Sequence, residues 1–223
     1  MKTLIALKNG AARTGLAFAF SPGLLVAVSL ALAVALSVTL QSSAAFAEST
    51  QPADPQPEAG ALEPGLAVDY YYLKLDSLDE LYSWLDHKKP DPGAPLANLD
   101  FVANDQGPVL GTDRGSVVAA IITGFVRFPE TGQFKLLALV NDGMRLWVGQ
   151  DNDAPVLDDP RKLSDRLVGP TEISVEAGLW YPMKLEYFQK KGSSALVLAW
   201  MRPGVGEGEE EVIEAEYFAH LPE

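Results

Sequence analysis

Short apolar stretches separated by turn residues fill the chain from about Gly65 to its end. Most of them are rich in β-branched and aromatic residues, and turn signals recur about every ten positions, as is typical of antiparallel sandwiches and barrels. The predicted strands are Gly65–Leu75, Ser116–Phe128, Gln133–Val140, Met144–Val148, Glu172–Ala177, Trp180–Phe188, Ala195–Met201 and Glu211–Phe218.

One segment has helical rather than strand spacing. Within Ser77–Leu85, apolar residues recur at helical intervals, and Ser77 and Glu80 form a Ser-x-x-Glu capping box. The following stretch, His87–Pro108, is rich in Pro, Gly, Asn and Asp and is predicted as a long loop. The fold class predicted is therefore all-β, an antiparallel sandwich or barrel with a short helix after the first strand.

Residues 1–47 have the pattern of a secretory signal peptide. A basic start is followed by the apolar stretch Gly23–Leu40 and by small residues, so cleavage is expected between Ala47 and Glu48. The alternative is a retained membrane anchor, because this apolar stretch is close to the shortest length that spans a bilayer. Export to the periplasm, the cell surface or the exterior is expected.

The rest of the chain divides into a linker and one domain. Residues 48–64 are rich in Pro, Ala and acids and offer little to bury, so they are predicted as a disordered linker. Residues 65–223 form the predicted domain, which is long enough to fold without disulfides. The chain has no cysteine to form one.

The acidic balance limits the partners. The chain has 17 Lys plus Arg against 30 Asp plus Glu, a formal charge of −13. Because phosphate binding depends on clustered basic residues, no nucleic-acid partner is expected. Contact with a membrane is expected only through an uncleaved N-terminal segment.

Neither catalysis nor zinc binding has support in the sequence. The two histidines, His87 and His220, lie far apart and there is no cysteine, which makes a poor zinc site. No motif around any serine indicates a Ser-His-Asp set, so no catalytic residue is assigned and a non-enzyme is expected.

Several stretches, in this order, resemble the PA14 domain family. They are Gly65–Leu66 with the tyrosines that follow, TGFVRFPETGQFKLLALVNDGMRLWVGQ (Thr123–Gln150), EAGLWYPMKLEYF (Glu176–Phe188), ALVLAWMRPG (Ala195–Gly204) and VIEAEYFAH (Val212–His220). The last has Glu214 where the family has proline. The resemblance covers Gly65–His220 and implies a PA14-type β-sandwich or barrel.

Three residues in these stretches have a physical interpretation of their own. Gly124 lies within a predicted strand, where a missing side chain permits a bend or a close approach. Trp147 and Trp200 bring large apolar area and are expected in the core.

The resemblance also implies a candidate site at Asn141-Asp142-Gly143. In the sugar-binding branch of the family, two consecutive aspartates joined by a cis peptide hold a calcium ion that binds sugar hydroxyls, and a late loop supplies further ligands. Here Asn141 replaces the first carboxylate, and the late loop Arg202–Glu211 offers Glu207 and Glu209. The candidate calcium ligands are therefore Asn141, Asp142, Glu207 and Glu209.

A plain turn is the alternative interpretation of the same three residues. Asp-Gly between two strands is a strong hairpin signal, because both residues tolerate positive φ. The polar residues that follow, Asp151, Asn152 and Asp153, join Asn141 and Asp142 as candidate ligand-binding residues.

The function expected from these observations is an exported, non-catalytic binding module for carbohydrate, assisted by calcium. Its partner would be a glycan or another component of the cell envelope. The alternative is a structural or protein–protein interaction module of the envelope, with neither a metal nor a sugar site.

Overall fold

Two antiparallel sheets pack against each other through one hydrophobic core in the computed structural model. The structure describes residues 50–105, 107–150 and 153–222. The predicted signal peptide, with its cleavage site at Ala47 and Glu48, lies outside the described residues and stays a prediction. Among the helices that are described, none has the length and apolar character needed to cross a bilayer.

The first sheet has eight strands. They are β1 (Glu63–Pro64), β2 (Ala67–Tyr71), β3 (Asp91–Pro92), β5 (Val118–Arg127), β7 (Gly143–Val148), β8 (Leu157–Asp159), β10 (Trp180–Gln189) and β13 (Phe218–His220). The path runs β1-β13-β5-β10-β7-β8, and β2 pairs with both β5 and β3.

The second sheet has five strands, and one of them ends at Asn141, the first residue of the candidate site. Its strands are β4 (Asp100–Ala103), β6 (Gly132–Asn141), β9 (Arg166–Val175), β11 (Ser194–Met201) and β12 (Glu211–Val212). The path runs β12-β11-β6-β9, and β4 also pairs with β11. The predicted all-β fold of two antiparallel layers is confirmed.

An aromatic cluster fills one part of the core. Trp200 is 1% exposed, and its ring centroid lies 5.4 Å from that of Phe128 and 5.2 Å from that of Phe134. The prediction that Trp200 is a core residue is confirmed. Trp147 is different: it is only partly buried, and its ring lies 4.9 Å from the Lys184 ammonium nitrogen. Its expected place in the core is therefore wrong, because this position of β7 faces away from the second sheet.

The predicted helix covers part of the outer face of the first sheet. It consists of a 3₁₀ turn, Leu78–Glu80, followed by helix α1, Leu81–Leu85. Ser77 caps it by accepting a hydrogen bond from the Asp79 N–H at 3.2 Å. Its apolar side chains form a second, smaller cluster with the sheet residues Ala119 and Phe188.

Besides β1, which lies in the predicted linker, two regions contain strands that the sequence pattern did not predict. The predicted loop His87–Pro108 includes β3 and β4, and the stretch before Glu172 includes β8 and the first half of β9. β4 and β8 are only four and three residues long, too short for an alternating pattern to stand out.

Gly124 confirms the expected close approach of another strand. A Cβ on Gly124 would lie 2.5 Å from the Ala219 carbonyl oxygen of β13. Glycine is therefore needed where β13 pairs with β5.

Residues 50–64 lie against the domain, which corrects their prediction as part of a disordered linker. The Ala53 N–H donates to the Trp180 carbonyl at 2.9 Å, and Ala53 is buried. The Gln56 side chain accepts from the Trp180 N–H and donates to the Trp180 carbonyl. A polar segment can be held in this way by main-chain hydrogen bonds without an apolar face of its own. We call residues 50–56 the N-terminal arm.

Candidate functional site

Four loops converge at one end of the sandwich, at the point where β6 ends. In the second sheet, Asn141 pairs with Ala195 of β11, which in turn pairs with Val102 of β4. Arg166 pairs with Val140, one residue before Asn141. We call this the Asn141 end, formed by residues 104–105, 141–143, 160–165 and 190–193.

The Asn141-Asp142-Gly143 step is a crossover between sheets, and its interpretation as a hairpin turn is wrong. β6 belongs to the second sheet and β7 to the first, and each pairs with other strands. The Asn141–Asp142 peptide bond is cis, as the resemblance implies, and Gly143 does not have positive φ. A Cβ on Gly143 would lie 2.7 Å from a ring carbon of Phe188 and 2.8 Å from the Pro160 main chain. Glycine is required here for space rather than for a turn.

Asn141 joins three loops through its side chain and main chain. It is 5% exposed. Its amide nitrogen donates to the Asp165 carboxylate at 2.6 Å and to the Ser193 hydroxyl at 3.2 Å. The buried Tyr187 hydroxyl donates to its carbonyl at 2.6 Å. Asn141 is thus a structural centre, while the exposed Asp165 and half-buried Ser193 offer polar atoms to solvent.

Asp142 is buried beside basic groups. One carboxylate oxygen accepts from the Lys190 main-chain N–H at 2.8 Å. Burial raises the pKa of Asp142, and this hydrogen bond, together with the positive charges of Lys162, Arg166 and Lys190, opposes the rise. The crossover carboxyl therefore already has cationic neighbours from the protein itself.

Buried Gln189 positions the loop between β10 and β11. Its amide nitrogen donates to the Ser193 carbonyl at 2.6 Å and to the Gly192 carbonyl at 3.2 Å. The buried Gln189 side chain therefore fixes the main chain of the loop in which the Ser193 hydroxyl accepts from Asn141.

Arg166 links the crossover to the loop between β8 and β9. Its guanidinium donates to the Asp159 carboxylate at 2.7 Å and to the Asp142 carbonyl at 2.6 Å. Burial raises the pKa of Asp159, but hydrogen bonds from Arg161 and Arg166 outweigh this effect, and the pKa falls to about 2. Asp159 is therefore ionised throughout the ordinary pH range.

The residues around Asp142 do not fit a calcium site. Calcium takes six to eight oxygen ligands, with carboxylates prominent among them. The amide nitrogen of Asn141 is directed at Asp165 and Ser193, and Asp142 has three basic neighbours. Across the described ranges, no three or more His, Cys, Asp or Glu residues come together in a way that would hold a metal ion.

Glu207 and Glu209 lie at the opposite end of the sandwich, so their assignment beside Asn141 and Asp142 is wrong. Asn141 pairs with Ala195, near the start of β11, whereas the loop with both glutamates follows Met201, the last residue of β11. Six steps along a strand separate the two ends by about 20 Å. Both glutamates are exposed.

Asp153 is also separated from the Asn141 end. β7 starts at Gly143 and ends at Val148, so the loop that contains Asp153 leaves from the far end of the strand, about 17 Å away. The N-terminal arm reaches this loop, because the Gln150 N–H donates to the Gln51 carbonyl at 2.8 Å. Asp151 and Asn152 lie outside the described residues, and their assignment stays a prediction.

A surface cavity of about 610 Å³ opens along β4 and the loop that follows it. Its lining includes Asp100, Phe101 and Asp105. A Cβ on Gly192 would lie 3.4 Å from the Asp105 carboxylate, which places Asp105 beside the loop that holds Ser193. The cavity thus extends to the Asn141 end.

Three residues of this end were not identified from the sequence: Asp165, Ser193 and Arg166. The available signal is the alternation of connections in an antiparallel fold, in which every second connection returns to the same end. Counting from the crossover, the connections 160–165 and 190–193 share its end. The count requires β8, which the pattern did not predict.

The chain belongs to the PA14 domain family. The family model for the PA14 domain matches residues 97–213, more than half of the chain. This range contains the crossover and all the other loops of the Asn141 end. No curated protein matched the chain.

Solved structures with a similar fold include adhesin domains. The PA14 domain of the MpAFP antifreeze protein is 17% identical with a TM-score of 0.60, and the match covers 74% of this chain and 93% of that one. The A domain of epithelial adhesin 6 from Candida glabrata, solved with Galβ1-3GlcNAc, is 14% identical with a TM-score of 0.60, covering 78% and 93%. The PA14 sugar-binding domain of an RTX adhesin is 17% identical with a TM-score of 0.54, covering 70% and 98%.

Proposed function

We propose that this protein is an exported, non-catalytic PA14 domain that binds carbohydrate at the Asn141 end. The observation that carries the proposal is the convergence of an amide, a carboxylate and a hydroxyl, from Asn141, Asp165 and Ser193, at the junction of three loops. Such groups exchange hydrogen bonds with sugar hydroxyls, and a fixed scaffold lowers the ordering cost of binding.

The cavity beside these groups supports the same conclusion. It contributes an aromatic side chain, Phe101, and two carboxylates, Asp100 and Asp105. Small-ligand sites combine apolar walls with a few placed polar groups, and this cavity has both. A galactoside-binding adhesin and a sugar-binding adhesin domain share the fold. The ligand is expected to be a glycan outside the cell or in its envelope.

A glycan panel tests the proposal, with Asp165→Asn as the site variant. Asp165 is exposed and accepts from Asn141, so replacement of its carboxylate by an amide keeps one oxygen for Asn141 and turns the second acceptor into a donor. The affinity for any bound glycan is expected to fall about tenfold, as for the loss of one hydrogen bond of ordinary strength.

Glu209→Gln is the matched control. It makes the same carboxylate-to-amide change in an exposed loop at the opposite end, and the affinity is expected to stay unchanged. If the wild-type protein binds no glycan on a broad panel, the proposal is refuted and the interaction-module alternative gains. If both variants lose affinity equally, the assigned end is wrong.

A further inference from the structure

Arg166 lies in a cage of oxygen atoms at the Asn141 end. Its Nε donates to Asp159 Oδ2 at 2.7 Å, and its Nη1 donates to the Asp142 carbonyl at 2.6 Å. Longer hydrogen bonds of 3.3 Å reach three further carbonyl oxygens, those of Arg161, Leu163 and Ser164. One guanidinium thus contacts one carboxylate and four main-chain carbonyls.

This set of oxygens is chemically the kind that hard cations use. Calcium sites are built from carboxylates and main-chain carbonyls of neighbouring loop residues. Here the five oxygens come from the crossover, from β8 and from the loop 161–164, and the guanidinium binds all three segments together. The Arg166 side chain is 18% exposed and that of Asp159 is 10% exposed, so solvent screens their ion pair only weakly.

A divalent ion beside Asp142 would meet this fixed positive charge. Lys162 and Lys190 add to it, and both also pair with Asp76. Repulsion between like charges a few ångströms apart costs kilocalories per mole when solvent is partly excluded. The acidic side chains near Asp142 are therefore matched by the protein's own cations.

We propose that Arg166 takes the structural place of a metal ion at this end of the fold. The guanidinium fixes the crossover against the loop 160–165, so the Asn141 end is organised without calcium. Ligand binding there is consequently independent of calcium and insensitive to chelators. The role of Arg166 in shaping the loops stands on the contacts alone, and only the statement about ligand binding rests on the proposed function.

Calorimetry with calcium chloride on the wild-type protein is the first test. No saturable heat is expected up to millimolar calcium, the range in which weak extracellular sites fill. The melting temperature is expected to be the same in calcium and in EDTA. Saturable binding, or a higher melting temperature in calcium, would overturn the proposal.

Comparison of Arg166→Ala with Arg161→Ala tests whether Arg166 contributes more to stability than an exposed ion pair does. Both arginines bind Asp159, but the Arg161 side chain is 69% exposed. Arg166→Ala is expected to lower the melting temperature by on the order of 10 °C, because it leaves a largely buried carboxylate with one partner fewer. Arg161→Ala is expected to lower it by about 2 °C or less. Equal effects of the two changes would show that Arg166 does not organise this end.

Arg166→Lys covers the case in which Arg166→Ala fails to fold. Lysine keeps the positive charge but lacks the planar fork that reaches several acceptors at once. An intermediate melting temperature is expected, and a wild-type value would show that the fork is dispensable and would overturn the proposal. A glycan that binds only in calcium would refute the role of Arg166 and leave the proposed function standing. A protein that binds neither glycan nor calcium would refute the proposed function and leave the role of Arg166 standing.

Discussion

Asp142 and Asp159 are two buried carboxyl groups whose pKa values move in opposite directions. Burial raises the pKa of Asp142, because the hydrogen bond from Lys190 and the neighbouring cations only partly offset the loss of water. Burial acts on Asp159 as well, but hydrogen bonds from two guanidinium groups reverse the shift. The difference lies in the donors: Asp142 accepts a main-chain N–H, whereas Asp159 accepts from two charged side chains.

The pKa of Asp159 leads to a defined pH dependence of stability. Its folded pKa of about 2 lies below the ordinary value of 3.8, so ionised Asp159 stabilises the fold above about pH 4. This contribution, about 2 kcal/mol, is lost as the pH falls from about 4 towards 2. Urea unfolding across this range is expected to show a smaller loss for Asp159→Asn than for the wild-type protein.

Asp158→Asn provides the control for that series. Asp158 is the neighbouring aspartate, but its side chain is 48% exposed and pairs with Arg145 at 3.0 Å. Its variant is expected to follow the wild-type pH profile, because exposed ion pairs contribute little. Parallel profiles for Asp159→Asn and the wild-type protein would contradict the assignment.

Gly143→Ala tests the packing of the crossover. An added methyl group would meet Phe188 and the Pro160 main chain at 2.7–2.9 Å, and the main chain of Pro160 cannot simply turn aside. The free energy of unfolding is expected to fall by about 1–3 kcal/mol, as for other overpacked sites. Gly206→Ala is the control, since nothing lies within 4 Å of its added Cβ. Its effect is expected within about 0.5 kcal/mol, and equal losses in both variants would refute the packing account.

At the level of secondary-structure elements, local sequence patterns predicted the long strands but not which loops lie together at one end of the sandwich. β5, β10 and β11 have apolar runs that are visible in the sequence, and Ser77 marks the start of the helix. The local sequence Asn-Asp-Gly does not distinguish a hairpin turn from a crossover between sheets, because residues distant in the sequence determine which strands pair. Glu207 was expected beside Asn141 from the family resemblance, and Asp153 from its closeness in sequence; neither basis shows at which end of the sandwich a loop lies.

The N-terminal arm also depends on distant residues, and it gives a prediction at this scale. Gln56 makes two hydrogen bonds to the main chain of Trp180, 124 positions away. Gln56→Ala is expected to speed hydrogen exchange of the arm, including the Ala53 amide, because the arm loses side-chain anchors while the sheet stays intact. Peptide-level exchange read by mass spectrometry checks this.

Glu58→Ala is the control for the arm. The Glu58 side chain is exposed, so exchange of residues 50–56 is expected to match the wild-type protein. Unchanged exchange in Gln56→Ala would mean that Gln56 does not anchor the arm.

At the scale of the whole molecule, an acidic chain of the PA14 family carries a neutralised cluster at one end. The formal charge is −13, yet the basic residues Lys162, Arg166 and Lys190 surround Asp142. The family and the antiparallel fold were predictable because several stretches that resemble the family occur in the family's order along the chain. The cage of oxygen atoms around Arg166 was not predictable, since most of these oxygens are main-chain carbonyls that no residue pattern identifies.

Export is the prediction that concerns the chain as a whole. The apolar segment and the small residues before Glu48 predict a mature protein that begins at Glu48. Intact-mass spectrometry of protein from the native host's envelope and medium is expected to give this N-terminus. A protein that retains Met1 in the membrane fraction would favour the anchor alternative.

A crystal structure of the protein with a bound glycan from the panel, grown in EDTA, would show directly whether the ligand binds at the Asn141 end without calcium. The sugar is expected at the Asn141 end, with its hydroxyls bonded to Asp165 or Ser193 and with the Arg166 guanidinium still in contact with Asp142 and Asp159. A sugar bound at the opposite end, beside Glu207 or Asp153, would refute this placement of the site. A glycan that enters the crystal only when calcium replaces EDTA would refute binding without calcium.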